Sequence, residues 1–181
     1  MTVHVIGIDP GLDGAGMAWL AQPDRDTIHV RDVVTVRTKP ADPMCVRLLA
    51  LSQGVLLQLR AWQQRMQPSL GRVDFTVVLE VPQHVGRSDH ARKQGRENVN
   101  AKSMAAFWQA MGVIRAAIAE SGLPLVELPP GGAKKEVRQA LYIRWTHAGK
   151  NADERDAIVT ACTQLFATAP VAAIATLSAR P

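Results

Sequence analysis

Val3-His4-Val5-Ile6-Gly7-Ile8-Asp9-Pro10-Gly11 is an apolar, β-branched run that stops on an acid. Valine and isoleucine fit extended backbone, and Pro10-Gly11 breaks the run, which predicts a strand ending at Asp9. Working outward, Ala15 to Ala21 reads as a second strand. Thr27 to Val36 reads as a third, with Ile28, Val30, Val33, Val34 and Val36 apolar. The turns between them are short and carry Gly, Asp and Pro, the spacing of an antiparallel three-stranded meander.

The hydrophobic period then changes. From Asp42 to about Met66, Val46, Leu48, Leu49, Leu51, Val55, Leu56, Leu59 and Trp62 recur at helical intervals. Asp42 is read as the cap and Pro43 as the first helical residue. Val73 to Glu80 is a continuous apolar run, the pattern of a strand buried on both faces. Residues 81 to 98 are polar and basic. Ala101 to Glu120 predicts a second helix, Leu123 to Leu128 a fifth strand, Lys134 to Arg144 a third helix and Ala152 to Thr168 a fourth. The order is βββ-α-β-α-β-α-α, an α/β chain without internal repeats.

Composition bounds the function. The 181 residues are 47% hydrophobic and 20% charged, which predicts a single globular domain over 1–181 and excludes a disordered chain. A net charge of +5 favours a polyanionic partner, nucleic acid being the commonest. Cys45 and Cys162 stand far apart, outside any CxxC pair, and are read as buried thiols in a reducing compartment. No basic-then-apolar leader opens the chain, and no apolar run reaches the ~20 residues needed to span a bilayer. The expectation is a cytosolic protein, in a bacterium or a phage-infected host, with no membrane partner.

The candidate chemistry lies in carboxylates. Asp9 and Glu80 each end an apolar strand just before a break, so each projects from a sheet edge. If those strands are neighbours, the two acids sit side by side and repel unless they share a cation. Hard oxygen ligands select Mg²⁺ or Mn²⁺. Asp153 and Asp156 are three residues apart at the start of the last helix and share a face. Singly, each acid has a simpler explanation: first-turn acids suit the helix dipole, and an Asp before Pro-Gly is a common turn residue. Their joint placement at two strand ends and one helix start points to a metal site. Asp13, close to Asp9, is read as a turn residue.

Gly7-Ile8-Asp9-Pro10-Gly11, with Gly14 and Gly16 leading into the second strand, resembles the opening of the RuvC-type Holliday junction resolvases. The same family is matched by Val77-Val78-Leu79-Glu80, by Gln109-Ala110-Met111-Gly112-Val113 in the following helix, and by Asp153-Glu154-Arg155-Asp156-Ala157. The matches run in order over roughly residues 3 to 168. The resemblance implies a ribonuclease H-like fold whose five-stranded mixed sheet has three antiparallel N-terminal strands and two parallel ones. It implies that Asp9, Glu80, Asp153 and Asp156 hold two Mg²⁺ ions, or Mn²⁺ in their place. The implied mechanism is two-metal hydrolysis: one ion activates water and the other stabilises the leaving 3′ oxygen, the ions ~3.5–4 Å apart. The implied product is a nick bearing a 5′ phosphate, made by a homodimer that cuts two symmetric strands of a four-way DNA junction.

Positive charge should accompany such a site. Lys134 and Lys135 open a predicted helix where the resemblance implies an active-site lysine; distance from Glu127 favours Lys134, and the spacing after Ala133 also admits Lys135. Helix starts prefer acids, so two lysines there are uncomfortable on structural grounds alone. Between residues 84 and 102, Arg87, Arg92, Lys93, Arg96 and Lys102 outnumber Asp89 and Glu97. With His84, this basic insertion loop, about 82–98, is placed to track phosphates, the alternative being a solvated surface loop. It is longer than in typical bacterial members, which points to a phage or otherwise divergent one. Val81-Pro82-Gln83-His84 also lacks the aromatic that many members carry after the catalytic Glu, so junction opening does not transfer simply. His147, in a polar stretch before the acidic helix, has no visible partner. Two other readings stay open: a ribonuclease H-like nuclease acting on RNA or RNA–DNA hybrid, and a catalytically silent junction-binding protein. An actin-like ATPase fragment, which shares Asp-Gly turns, would need two lobes and far more chain.

Overall fold

The structure is a computed structural model that describes residues 2–24, 27–66, 75–81, 101–128, 151–167 and 176–179. The elements are β1 (Val3–Asp9), β2 (Gly14–Gln22), β3 (Thr27–Arg37), α1 (Met44–Met66), β4 (Phe75–Glu80), α2 (Ala101–Ser121), β5 (Leu125–Leu128), α3 (Ala152–Ala167) and β6 (Thr176–Ala179). The helix expected over Lys134–Arg144 lies outside the described residues.

The strands form one sheet in the order β5-β4-β1-β2-β3-β6. β1, β2 and β3 make the expected antiparallel meander, with Asp9 opposite Gly16. β4 runs parallel to β1 and β5 parallel to β4, completing the predicted five-stranded mixed sheet. A sixth strand was not foreseen: β6 lies parallel to β3, pairing Thr27–Val30 with Thr176–Ala179.

Side chains alternate across the sheet, so each strand feeds two cores. On one face Ile6, Ile8, Met17, Trp19, Phe75, Val77 and Leu79 pack with Leu51, Val55, Leu59 and Trp62 of α1 and with Met111, Ile114 and Ile118 of α2. On the other, Val5, Ala18, Leu20 and Val78 pack with Ala157, Ile158, Ala161, Cys162 and Leu165 of α3. β4 thus contributes to both, as its unbroken apolar run required.

The α3 face is built for close approach. A Cβ on Gly7 would stand 2.6 Å from the Ala161 amide nitrogen and 2.8 Å from the Ala161 Cβ. One on Gly16 would stand 3.0 Å from the Asp153 Cβ and would overlap the Asp153 carbonyl. Asp153, Ala157 and Ala161, spaced by four, are therefore the stripe of α3 that faces the sheet.

The face covered by α1 is held by large side chains. Trp62 is fully buried, and its indole N–H donates to Asp32 Oδ2 at 2.9 Å. Arg65 meets the same carboxylate at 2.5 Å, tying the end of α1 to β3. α1 begins slightly later than expected: the Pro43 carbonyl accepts from Val46 and Arg47 N–H, so Pro43 rather than Asp42 holds the cap position. Met44–Arg65 is long and apolar enough to cross a membrane by length and composition. Its Leu51, Val55, Leu59 and Trp62 stripe packs against the sheet and α2 while its other faces stay largely exposed, the pattern of an amphipathic helix laid on a core. Met44, Val46, Leu49 and Leu57 remain exposed on its outer side.

Cys162 is buried as expected, and burial pushes its thiol pKa up. Cys45 corrects the sequence reading: it is exposed, because it sits in the first turn of α1 ahead of the buried stripe. His4 is buried at the start of β1. Its Nδ1 accepts from Trp19 Nε1 at 3.2 Å, which leaves its proton on the buried, unpartnered Nε2. Burial, and then the charge of Arg31, hold its pKa below the ordinary value.

Candidate active site

β1 and β4 are neighbouring parallel strands, with Ile8 opposite Leu79. One step on, Asp9 and Glu80 stand side by side at the carboxyl ends of the pair. Asp9 continues the Val5–Gly7 side of β1 and Glu80 the Val78 side of β4, so both carboxylates occupy the face that α3 covers. Both are half-buried. Val81 then donates its N–H to the Leu128 carbonyl at 2.9 Å, fixing the chain as it leaves Glu80.

The start of α3 brings the next acids. Asp153 lies over Gly16, the direct partner of Asp9. Opposed Cβ positions in an antiparallel pair lie ~5 Å apart, so the absent side chain of Gly16 lets Asp153 come within roughly 8 Å of Asp9. Helical residues turn by about 100° each, so Glu154 and Asp156 leave the Asp153 stripe on opposite sides. Glu154 faces β3, where its Oε1 accepts from Thr35 Oγ1 at 3.2 Å. Asp156 therefore turns the other way, toward the β1–β4 side that carries Asp9 and Glu80. Asp153 and Asp156 are half-buried, whereas Glu154 is buried.

Four carboxylate positions thus share one end and one face of the sheet. Among the described residues no three such side chains close on a common point. By donor chemistry and placement Asp9, Glu80, Asp153 and Asp156 fit a hard divalent cation; as they stand they do not enclose one.

Asp13 is a structural residue. Its carboxylate pairs with Arg47, and its carbonyl accepts from Thr38 N–H at 3.1 Å. Thr38 Oγ1 also donates to the Leu12 carbonyl at 2.7 Å. Together these contacts pin the turn after Asp9 to the segment before α1. Lys134, Lys135, His84, Arg87, Arg92, Lys93, Arg96 and His147 lie outside the described residues. Lys102 is the second residue of α2, with its side chain outside the description.

The sequence reading missed Thr35, Asn151 and the structural role of Glu154. Asn151-x-x-Glu154 ahead of an apolar run is a helix-start pattern and was available as a signal. Nothing local marks Thr35, which lies 116 residues from Asn151 in sequence.

No family model matches the chain. Over 136 residues it is 29% identical to the crossover junction endodeoxyribonuclease RuvC of Chloroflexus aggregans, covering 75% of this chain and 68% of that protein. Over 135 residues it is 30% identical to the protein of the same name from Corynebacterium glutamicum, covering 75% of this chain and 51% of that one. The chain therefore spans between half and about two thirds of these relatives. Among solved structures it resembles T. thermophilus RuvC in complex with a Holliday junction substrate, with a TM-score of 0.63, 18% identity, and coverage of 92% of this chain and 95% of that one. The yeast mitochondrial Holliday junction resolvase superposes with a TM-score of 0.53 at 8% identity, over 90% of this chain and 78% of that one.

Sheet order, flanking helices and these superpositions define a ribonuclease H-like fold. Within that class, the chain is a distant homologue of the RuvC-type Holliday junction resolvases.

Proposed function

We propose that this protein is a metal-dependent, structure-selective endonuclease that resolves four-way DNA junctions as a homodimer, leaving nicks with 5′ phosphates. The observation that carries this reading is the convergence of Asp9, Glu80, Asp153 and Asp156 on one face at one sheet end. Distant homology to the RuvC-type resolvases suggests the substrate class. When bound there, Mg²⁺ or Mn²⁺ ions, two per site, would supply Lewis acidity and an activated water. Asp9 and Glu80 present paired carboxylates from a rigid strand pair, so their spacing is set by backbone hydrogen bonds. Asp153 and Asp156 add acids from a helix seated on glycines, so the site sits on regular elements rather than on loops. Lys134, with Lys135 as the second choice, would place positive charge beside the scissile phosphate. The basic residues from His84 to Lys102 would hold the neighbouring backbone.

Labelled four-way junctions, linear duplex and RNA–DNA hybrid, incubated with the protein and with Asp9→Asn in Mg²⁺ or EDTA, test the reading. Paired symmetric nicks in the junction, lost in the variant and in EDTA, are expected. Cleavage of hybrid alone would shift the substrate to RNA–DNA. Junction binding without cleavage under any metal would make the protein a silent binder.

A further inference from the structure

Asp153 and Asp156 face the sheet end only if α3 holds one rotation about its own axis. Gly7 and Gly16 set how near the helix comes, and Ile158, Cys162 and Leu165 pack its later turns, so these contacts leave the azimuth of the first turn to be set. A polar triangle at the first turn sets it. Asn151 Nδ2 donates to Thr35 Oγ1 at 3.0 Å and to Glu154 Oε1 at 3.2 Å, and Thr35 Oγ1 donates to the same Glu154 oxygen at 3.2 Å. Asn151 also caps the helix, its Oδ1 accepting from Glu154 N–H at 2.9 Å and its carbonyl from Arg155 N–H at 3.2 Å. The triangle joins β3 to the side of α3 opposite Asp156.

We propose that Thr35, Asn151 and Glu154 form a rotational lock that aims Asp153 and Asp156 at the metal position, with Glu154 a positioning residue rather than a ligand. The proposal rests on the metal-site reading above. Its chemistry is particular: Thr35 serves as donor and acceptor at once, and Glu154 only accepts. A buried carboxylate that loses one of these donors is left less satisfied, and the first turn of the helix shifts to compensate.

The test uses the full chain and Mn²⁺ as probe, with binding measured by calorimetry or by electron paramagnetic resonance at a temperature where every variant is folded by circular dichroism. Thr35→Val removes the hydroxyl at nearly constant shape and is expected to weaken Mn²⁺ binding about tenfold, the scale on which supporting shells act. Thr35→Ser restores the hydroxyl and should return binding to within about twofold of wild type. Glu154→Gln keeps the accepting oxygen and should also bind close to wild type. Asn151→Asp keeps the cap but lacks the Nδ2 donor. It should weaken binding despite its added negative charge, and it serves if Thr35→Val does not fold. Amide exchange at Glu154 and Arg155 is expected to quicken in Thr35→Val and not in Thr35→Ser. Wild-type Mn²⁺ binding and unchanged exchange in Thr35→Val and Asn151→Asp would overturn the lock, as would failure of Thr35→Ser to rescue. If the wild-type protein takes up no Mn²⁺ and cuts no DNA, the metal reading fails, and the exchange measurements still decide the lock.

Discussion

The two faces of the sheet are packed differently. Toward α1 and α2 the sheet presents Trp19, Phe75, Ile6, Ile8 and Met17, which meet Trp62, Leu59, Met111 and Ile114. Toward α3 it presents Val5, Leu20 and Val78, which meet Ile158, Cys162 and Leu165, but also Gly7, Gly16 and Ala18, which meet Ala157, Ala161 and the backbone of Asp153. Large side chains bury the most apolar surface and hold elements a full side-chain layer apart. Small ones allow little burial and let backbone approach backbone. The first face carries the aromatic side chains. The second brings a helix start, with its acids, down to the level of two strand ends.

That contrast can be broken at several points. The largest effect is expected at the acids: Asp9→Asn or Glu80→Gln should lower junction cleavage beyond the roughly 100-fold that outer partners of a metal site cost, with the urea midpoint little changed. Unfolding of either variant at much lower urea would assign the acids to the core instead. On the other face, Trp62→Ala should destabilise the fold by about 3–5 kcal/mol through the cavity it leaves and the loss of its bond to Asp32. Cleavage per folded molecule should stay near wild type there, and a specific-activity assay on the folded fraction checks this.

Gly16→Ala sharpens the comparison, since its added methyl meets the Asp153 backbone, which cannot swing aside as a flexible side chain would. Overpacking of this kind costs about 1–3 kcal/mol, and activity should fall by more than stability does, because the displaced part is the helix start. Equal losses in both would mean that α3 is not positioned through Gly16.

The smallest effect belongs to His4, on the aromatic face. Its folded pKa lies below the ordinary value of about 6.5, so the unfolded chain binds its proton more readily. Its contribution is therefore complete above about pH 6.5 and shrinks as pH falls from there toward the lowered folded value. Urea unfolding at several pH values should show this loss in wild type and not in His4→Phe.

Much of the fold was legible because its signals are local. The β1 run ending at Asp9-Pro10-Gly11 and the unbroken β4 run ending at Glu80 state where two strands stop and on what residue they stop. The acids on α3 were legible as a pair, but their direction was not. Whether Asp156 or Glu154 looks toward the sheet end depends on Thr35, a residue in β3 that no periodicity ties to α3. Cys45 was misjudged because thiol chemistry favours burial while its position in the first turn of α1 decides against it. β6 went unseen because Thr176-Leu177-Ser178-Ala179 is only four residues long and has Thr176 as its single β-branched residue, and its pairing with β3 is a contact between distant parts of the chain.

That last strand has a consequence for how the protein keeps company in a crowded solution. An uncovered β3 would offer an eleven-residue ladder of unpaired backbone groups to any passing strand. β6 takes up the first part, Thr27 to Val30, where Ile28 and Val30 are the apolar members. The remaining stretch begins with Arg31 and Asp32 and ends at Arg37, charges that discourage a stranger from adding to the sheet. β6 pairs the first part of this edge, and Arg31, Asp32 and Arg37 flank the valines Val33, Val34 and Val36 of the rest, so both pairing and charge work against edge-to-edge aggregation.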